Sequence, residues 1–113
     1  MTKTKSSLYL KEQPTLRDIQ DYVVALEKER GFKKSNLKPI QTALQLGEEV
    51  GELFKAIRKR EGITIAHDST VSEIADELAD ILNFTAAIAN RYSIDLEKAF
   101  RDKEEINKKR KWS

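Results

Sequence analysis

No cysteine occurs in this 113-residue chain, and histidine occurs once, at position 67. Disulfides and thiolate zinc sites are thereby excluded, and a single imidazole is too few for a histidine-built metal centre or triad. Any metal bound here must be a hard cation held by oxygen. Apolar runs are only a few residues long, so no segment is long enough to span a membrane. The basic start, residues 1–7, is not followed by an apolar stretch of signal-peptide length. Neither sign of charge dominates: 21 basic against 19 acidic residues leave a net +2, which gives no reason to expect a nucleic-acid partner. The expectation from these absences is a cytoplasmic protein that engages neither membrane nor nucleic acid.

Glycine (four) and proline (two) are also scarce, while 35% of the chain is charged and 39% apolar. A composition rich in Ala, Leu, Glu, Lys and Ile favours helix over sheet. The length suits one domain that folds without staples. Residues 1–14 read as a flexible polar arm and 15–113 as one helical domain. Thr15 can cap a first helix carrying Leu16, Ile19, Val23 and Leu26 inward and closed by Gly31. Asn36 is the expected cap of a second helix, with Pro39 in its first turn and a stripe of Ile40, Ala43, Leu46 or Gly47, Val50, Leu53, Phe54 and Ile57. Gly47 and Gly51, each costing about 1 kcal/mol in a helix interior, suggest packing or the close approach of a backbone or bulky ligand.

Gly62 ends the second helix, and the capping-box pattern Thr70-Val71-Ser72-Glu73 is expected to start the third. Its inward residues are Ile74, Leu78, Ile81, Leu82, Thr85 and Ile88. Ile94 and Asp95 supply a staple and cap for a fourth helix with Leu96, Ala99, Phe100 and Ile106 inward. The fold class expected is all-α, a four-helix module.

Two stretches within this frame echo each other: Glu48-Glu49-Val50-Gly51-Glu52 and Glu77-Leu78-Ala79-Asp80. At 100° per residue, Glu49 and Glu52 share one helix face, as do Glu77 and Asp80. Acids spaced by three are common and mostly solvated. Two pairs in the same phase against the apolar stripes converge if the helices pack. Carboxylates about 5 Å apart repel by about 3 kcal/mol at an effective dielectric near 20, so four of them need a cation. Helix-bundle iron and manganese sites place a His three residues after a Glu. Neither Glu49 nor Glu77 has one, which favours magnesium shared with phosphate over redox chemistry.

With these motifs in place the chain resembles the MazG-like all-α nucleoside triphosphate pyrophosphohydrolases, a group that also includes dimeric dUTPases, dCTP pyrophosphatases and phosphoribosyl-ATP pyrophosphohydrolases. The signature Glu-Glu-x-x-Glu, then Glu-x-x-Asp, reads here as Glu48-Glu49-x-x-Glu52 and Glu77-x-x-Asp80. The resemblance also covers the entry helix from Leu16 to Phe32 and the pattern Lys103, Asn107, Arg110. It implies Glu49, Glu52, Glu77 and Asp80 as ligands of Mg²⁺, with Mn²⁺ as a substitute, and Glu48 as the residue that orients or deprotonates water. Lys103, Asn107 and Arg110, four and three apart on one helix face, would hold substrate phosphates. Asn83, three after Asp80, would reach metal-bound water or substrate.

The implied reaction converts a (d)NTP into a nucleoside monophosphate and pyrophosphate, in nucleotide-pool housecleaning. The implied assembly is a helical-bundle homodimer or homotetramer. Tyr22, Phe32 and Phe84 are candidates for stacking on a base, with core packing the plainer role for each. Lys55 and Arg58 read as an exposed basic helix end, His67 as a surface residue and Trp112 as a helix-end or subunit contact. The competing readings are a helical dimerisation module without chemistry and a nucleotide binder without hydrolysis.

Overall fold

The computed structural model describes residues 8–31, 38–64 and 70–111. Phe32, Asn36, His67 and Trp112 lie outside them. The described residues form four α-helices and no strand: α1 (Leu16–Glu29), α2 (Pro39–Arg60), α3 (Ile74–Arg91) and α4 (Leu96–Lys108).

The helix ends follow local chemistry. At the start of α1 the Thr15 hydroxyl accepts from Asp18 N–H at 3.1 Å, and the Asp18 carboxylate accepts from Thr15 N–H at 2.8 Å. This reciprocal pair is a capping box. The α2 helix starts at Pro39 with Lys38 as its cap residue and no side-chain cap bond; Asn36, the expected cap, lies outside the described residues. Gly62, at φ +72°, then closes α2: its N–H bonds to Lys59 O at 3.1 Å and Ile63 N–H to Arg58 O at 2.8 Å. Gly31 (φ +75°) ends α1 in the same left-handed conformation.

The expected capping box at Thr70 does not form. The cap residue of α3 is Glu73, without a side-chain cap bond. This later start puts Asp76 and Glu77 in the first turn, where the helix dipole favours carboxylates. Asp95 caps α4 as expected, accepting from Glu97 N–H and Lys98 N–H.

Packing is uneven. α3 is central, with its largest interface on α2 and a second on α1; α4 packs on α1. Val23, Ala86 and Ala87 form the buried centre, with Ile19 and Leu96 against it. The small residues Ala86, Ala87 and Ala89 on α3 let the neighbouring backbones approach. Many residues expected inward are instead exposed in the single chain: Ile40, Phe54, Ile57, Leu78, Leu82, Phe100 and Ile106, together with Ala43 and Ala99. The physical reason is geometric. A three-helix contact buries one face of α2 and α3, and among the described residues no further element covers the other. Among the described residues nothing lies beside Gly47 or Gly51, so the packing or close approach suggested there is not made by them.

A small polar cluster fixes where α4 leaves the bundle. Gln20 is fully buried. Its amide donates to Asn90 Oδ1 at 3.1 Å and Ile94 O at 2.8 Å, and its Oε1 accepts from Leu96 N–H at 3.0 Å. Asn90 returns a bond to Gln20 O at 3.0 Å. α1 is thus clasped to the α3–α4 turn.

Candidate active site

The echoing acids meet where α2 crosses α3. One carboxylate oxygen each from Glu49, Glu77 and Asp80 lies within 4.8 Å of the others. Glu77 is the anchor: it is 4% exposed, and its Oε2 is buried with no N–H or hydroxyl donor to it. A buried carboxylate oxygen without a donor is costly unless a proton or cation meets it. The Glu49 carboxyl is accordingly pushed up to about 7. The largest cause is its hydrogen bond with Glu77, followed by burial and by repulsion from Glu77, Asp80 and Glu52.

Glu52 stands at the edge of this group. It is near enough to repel Glu49, but its own Oε1 lies 3.8 Å from Lys55 Nζ. Glu48 is exposed one step aside on α2. The donor set is therefore hard oxygen only, with a deep member, an intermediate one and an exposed one. That suits a divalent cation that keeps part of its water shell.

The structure does not draw the other expected site residues to the same place. Lys103, Asn107 and Arg110 lie on or just beyond α4, whose main packed interface among the described residues is with α1, while Leu96 in its first turn reaches the core cluster that includes Ala86 and Ala87 of α3. Asn107 Nδ2 donates to Glu104 Oε1 at 3.3 Å. Arg58 donates to the Thr64 carbonyl, tying the end of α2 to its following loop. Tyr22 lines a shallow depression beside Tyr9 and Asp18.

A cleft of about 560 Å³ opens between α1, α2 and α3. Asn83 and Phe84, one turn beyond Asp80, line it, and so does Gln45, one turn before Glu49. The cleft and the acid cluster are thus neighbours in helical register. Phe84 faces this cleft rather than serving only as core. Gln41, Glu27 and Arg91 also line it, and the sequence pattern had singled out neither Glu27 nor Arg91. The available signal was register: Gln20, Val23 and Glu27 fall on one stripe of α1, so two polar residues stand where apolar ones are expected.

The fold and the site define a class of helical proteins with paired acidic helices, and comparison with known proteins gives the class a name. Residues 38–111 match the model of the MazG nucleotide pyrophosphohydrolase domain. The chain is 31% identical to iMazG from Vibrio DAT 722, whose crystal structure superposes with a TM-score of 0.60 over 83% of this chain and 98% of that one. No curated protein matches significantly. The chain belongs to the MazG nucleotide pyrophosphohydrolase family. It is a hydrolase acting on nucleotides, so the reading as a dimerisation module without chemistry falls.

Proposed function

We propose that the chain hydrolyses the α–β phosphoanhydride of a nucleoside or deoxynucleoside triphosphate, releasing monophosphate and pyrophosphate, in clearance of unwanted nucleotides. The observation that carries this reading is the convergence of Glu49, Glu77 and Asp80 on one point with a donor-free buried oxygen on Glu77. Glu49, Glu77 and Asp80, with Glu52 from the cluster's edge, would hold Mg²⁺, or Mn²⁺ in its place. When bound, magnesium lowers the pKa of its water and neutralises phosphoryl charge. Glu48 stands beside the ligands on α2 and acts on the attacking water as orienting group or base.

The neighbouring cleft receives the base of the nucleotide. Phe84 offers an aromatic face, and Asn83, Gln41 and Gln45 offer carboxamides that both donate and accept. Such a mixture of apolar wall and few polar groups is usual for a small-molecule site.

Lys103, Asn107 and Arg110 bind the triphosphate from a second copy of the chain. The main interface of their helix within the chain is with α1, which carries none of the acids, and the molecule has surface to spare. The accessible surface is 9454 Å², against about 6,300 Å² for a compact monomer of this mass. The radius of gyration is 17.4 Å, against about 13 Å. Ile40, Leu44 and Phe54, exposed on α2, share a stripe with the open positions Gly47 and Gly51, which a partner helix could approach closely. A homodimer or homotetramer covers these faces.

The direct test is incubation of the chain with the common (d)NTPs and Mg²⁺, assayed for monophosphate and pyrophosphate. Release of orthophosphate and diphosphate instead would overturn the assignment of the cleaved bond.

A further inference from the structure

The basic end of α2 is not uniform. Arg58, Lys59 and Arg60 are exposed, as the sequence pattern suggests, whereas Lys55 is half-buried. Its side chain is 32% exposed, against 74% and 67% for Lys98 and Lys108, which pair with acids along α4. Lys55 follows Glu52 by one turn, and its Nζ lies 3.8 Å from Glu52 Oε1. That contact is an ion pair too long for a hydrogen bond. An ammonium carries three N–H donors and no acceptor. Among the described residues, none of them reaches an acceptor at hydrogen-bond distance.

The order of residues along α2 gives these donors a place in the site. Gln41 and Gln45 line the cleft, Glu49 and Glu52 follow at the acid cluster, and Lys55 comes next. At a rise of about 1.5 Å per residue, Lys55 lies about 15 Å further along the axis than Gln45. The cleft and Lys55 thus stand on opposite sides of the acids. An extended nucleoside triphosphate with its base in the cleft and its phosphates at the acids runs toward Lys55 with its terminal phosphates. Arg58, one turn further, already donates to the Thr64 carbonyl.

We propose that Lys55 binds the β- and γ-phosphates, the part that leaves as pyrophosphate, in the same chain that supplies the acids. This rests on the reading that the acid cluster takes the phosphates and the neighbouring cleft the base. Without nucleotide, Glu52 serves Lys55 as counter-ion. A lysine suits this task as a point charge with rotatable donors, which needs no fixed fork geometry. Cleavage of the α–β bond adds negative charge to the departing pyrophosphate. An ammonium already in place favours that charge without reorganisation. Lys55 is then the cation given by the acids' own chain, beside Lys103 and Arg110 of the proposed second copy.

Calorimetry in Mg²⁺ compares inorganic pyrophosphate with dAMP and dCMP, for wild type, Lys55→Met and Lys55→Arg. Methionine keeps a flexible stem and a good helix propensity while removing the charge; Lys55→Gln takes its place should Lys55→Met unfold. Pyrophosphate affinity is expected to fall by about tenfold or more in Lys55→Met, the size of a hydrogen bond to a charged group, and to stay within about threefold of wild type in Lys55→Arg. Monophosphate affinity is expected to change by less than about threefold, since the lost donor serves phosphates it lacks. Mg²⁺ alone is expected to bind Lys55→Met as well as wild type or better, because a cation beside the acids has gone. An unchanged pyrophosphate affinity in Lys55→Met, or an equal loss in Lys55→Arg, overturns the assignment. So does an equal loss for monophosphates, a parallel loss of Mg²⁺ affinity, or a wild type that binds no pyrophosphate. A steady-state assay with the common (d)NTPs tests the hydrolytic reading separately. Wild type that releases no pyrophosphate refutes hydrolysis, and the calorimetric comparison still decides Lys55.

Discussion

At the scale of the residue, the site is governed by how closely carboxylates are held. Glu49 has its carboxyl raised from 4.5 to about 7 by the hydrogen bond with Glu77 and by burial. The folded chain therefore keeps a proton there that the unfolded chain releases from about pH 4.5 upward. Stability from this group is complete below about pH 4.5 and is lost as pH rises through about 7. In EDTA the Tm is expected to fall between pH 5 and pH 8, and Glu49→Gln is expected to flatten that slope. Mg²⁺ is expected to stabilise most above pH 7, where the proton has gone and the ligands are ionised. A slope in EDTA that Glu49→Gln leaves unchanged would assign the effect to other groups.

Glu77 permits a sharper separation of chemistry from folding. Glu77→Gln keeps the shape and removes a charge from the cluster. Without metal its Tm should equal or exceed that of wild type. Pyrophosphate release should drop by about hundredfold or more, because metal-borne charge stabilisation is worth several kcal/mol. Calorimetry with Mg²⁺ and a steady-state assay check both halves; full turnover in the variant would remove Glu77 from the metal site.

Among the elements, α4 is the least anchored, with no buried residue of its own. Its direction depends on the Gln20 clasp and on the Asp95 cap, to which Arg17 adds a long contact of 3.8 Å. Gln20→Ala leaves Asn90 Oδ1, Ile94 O and Leu96 N–H without their partner, which should cost about 3 kcal/mol in a urea melt. Gln20→Glu would return an acceptor for Leu96 but no donor for Ile94, so it should recover only part of the loss. The clasp explains why α4 can project from the bundle and still leave it at a defined angle. The helix ends show how far local signals reach: Thr15, Gly31, Gly62 and Asp95 act as their residue types dictate. Thr70 does not, because entry to α3 is set by the burial of Glu77 against α2 rather than by the nearest capping pattern.

At the scale of the whole molecule, α2 and α4 leave apolar residues exposed among the described residues, Ile40, Leu44, Phe54, Phe100 and Ile106 among them, and the proposed second copy would cover them. Sedimentation is expected to give a dimer or tetramer, and Leu44→Glu with Phe54→Glu a monomer. If α4 serves the acids of the partner, Glu77→Gln and Lys103→Ala chains are each inactive alone and recover activity when refolded together, because mixed assemblies contain one intact site. No recovery in demonstrably mixed assemblies would place Lys103 with the acids of its own chain.

The four helices, the acid pairs and the family they belong to were legible in the sequence, because periodicity, caps and a spacing of three are local properties of a helix. The sharing of one helix face by Glu49 and Glu52, and of another by Glu77 and Asp80, followed from the same spacing. Tertiary structure decided the rest. It set Glu49, Glu77 and Asp80 within 4.8 Å of one another with Glu52 at their edge beside Lys55, because helix crossing selects which of several same-face acids meet most closely. It left Phe54, Leu78 and Phe100 exposed, because an apolar stripe declares that it will be covered and not by what. It brought Glu27 to Arg91 across 64 residues, because pairing between distant helices depends on how they dock, which no local spacing encodes.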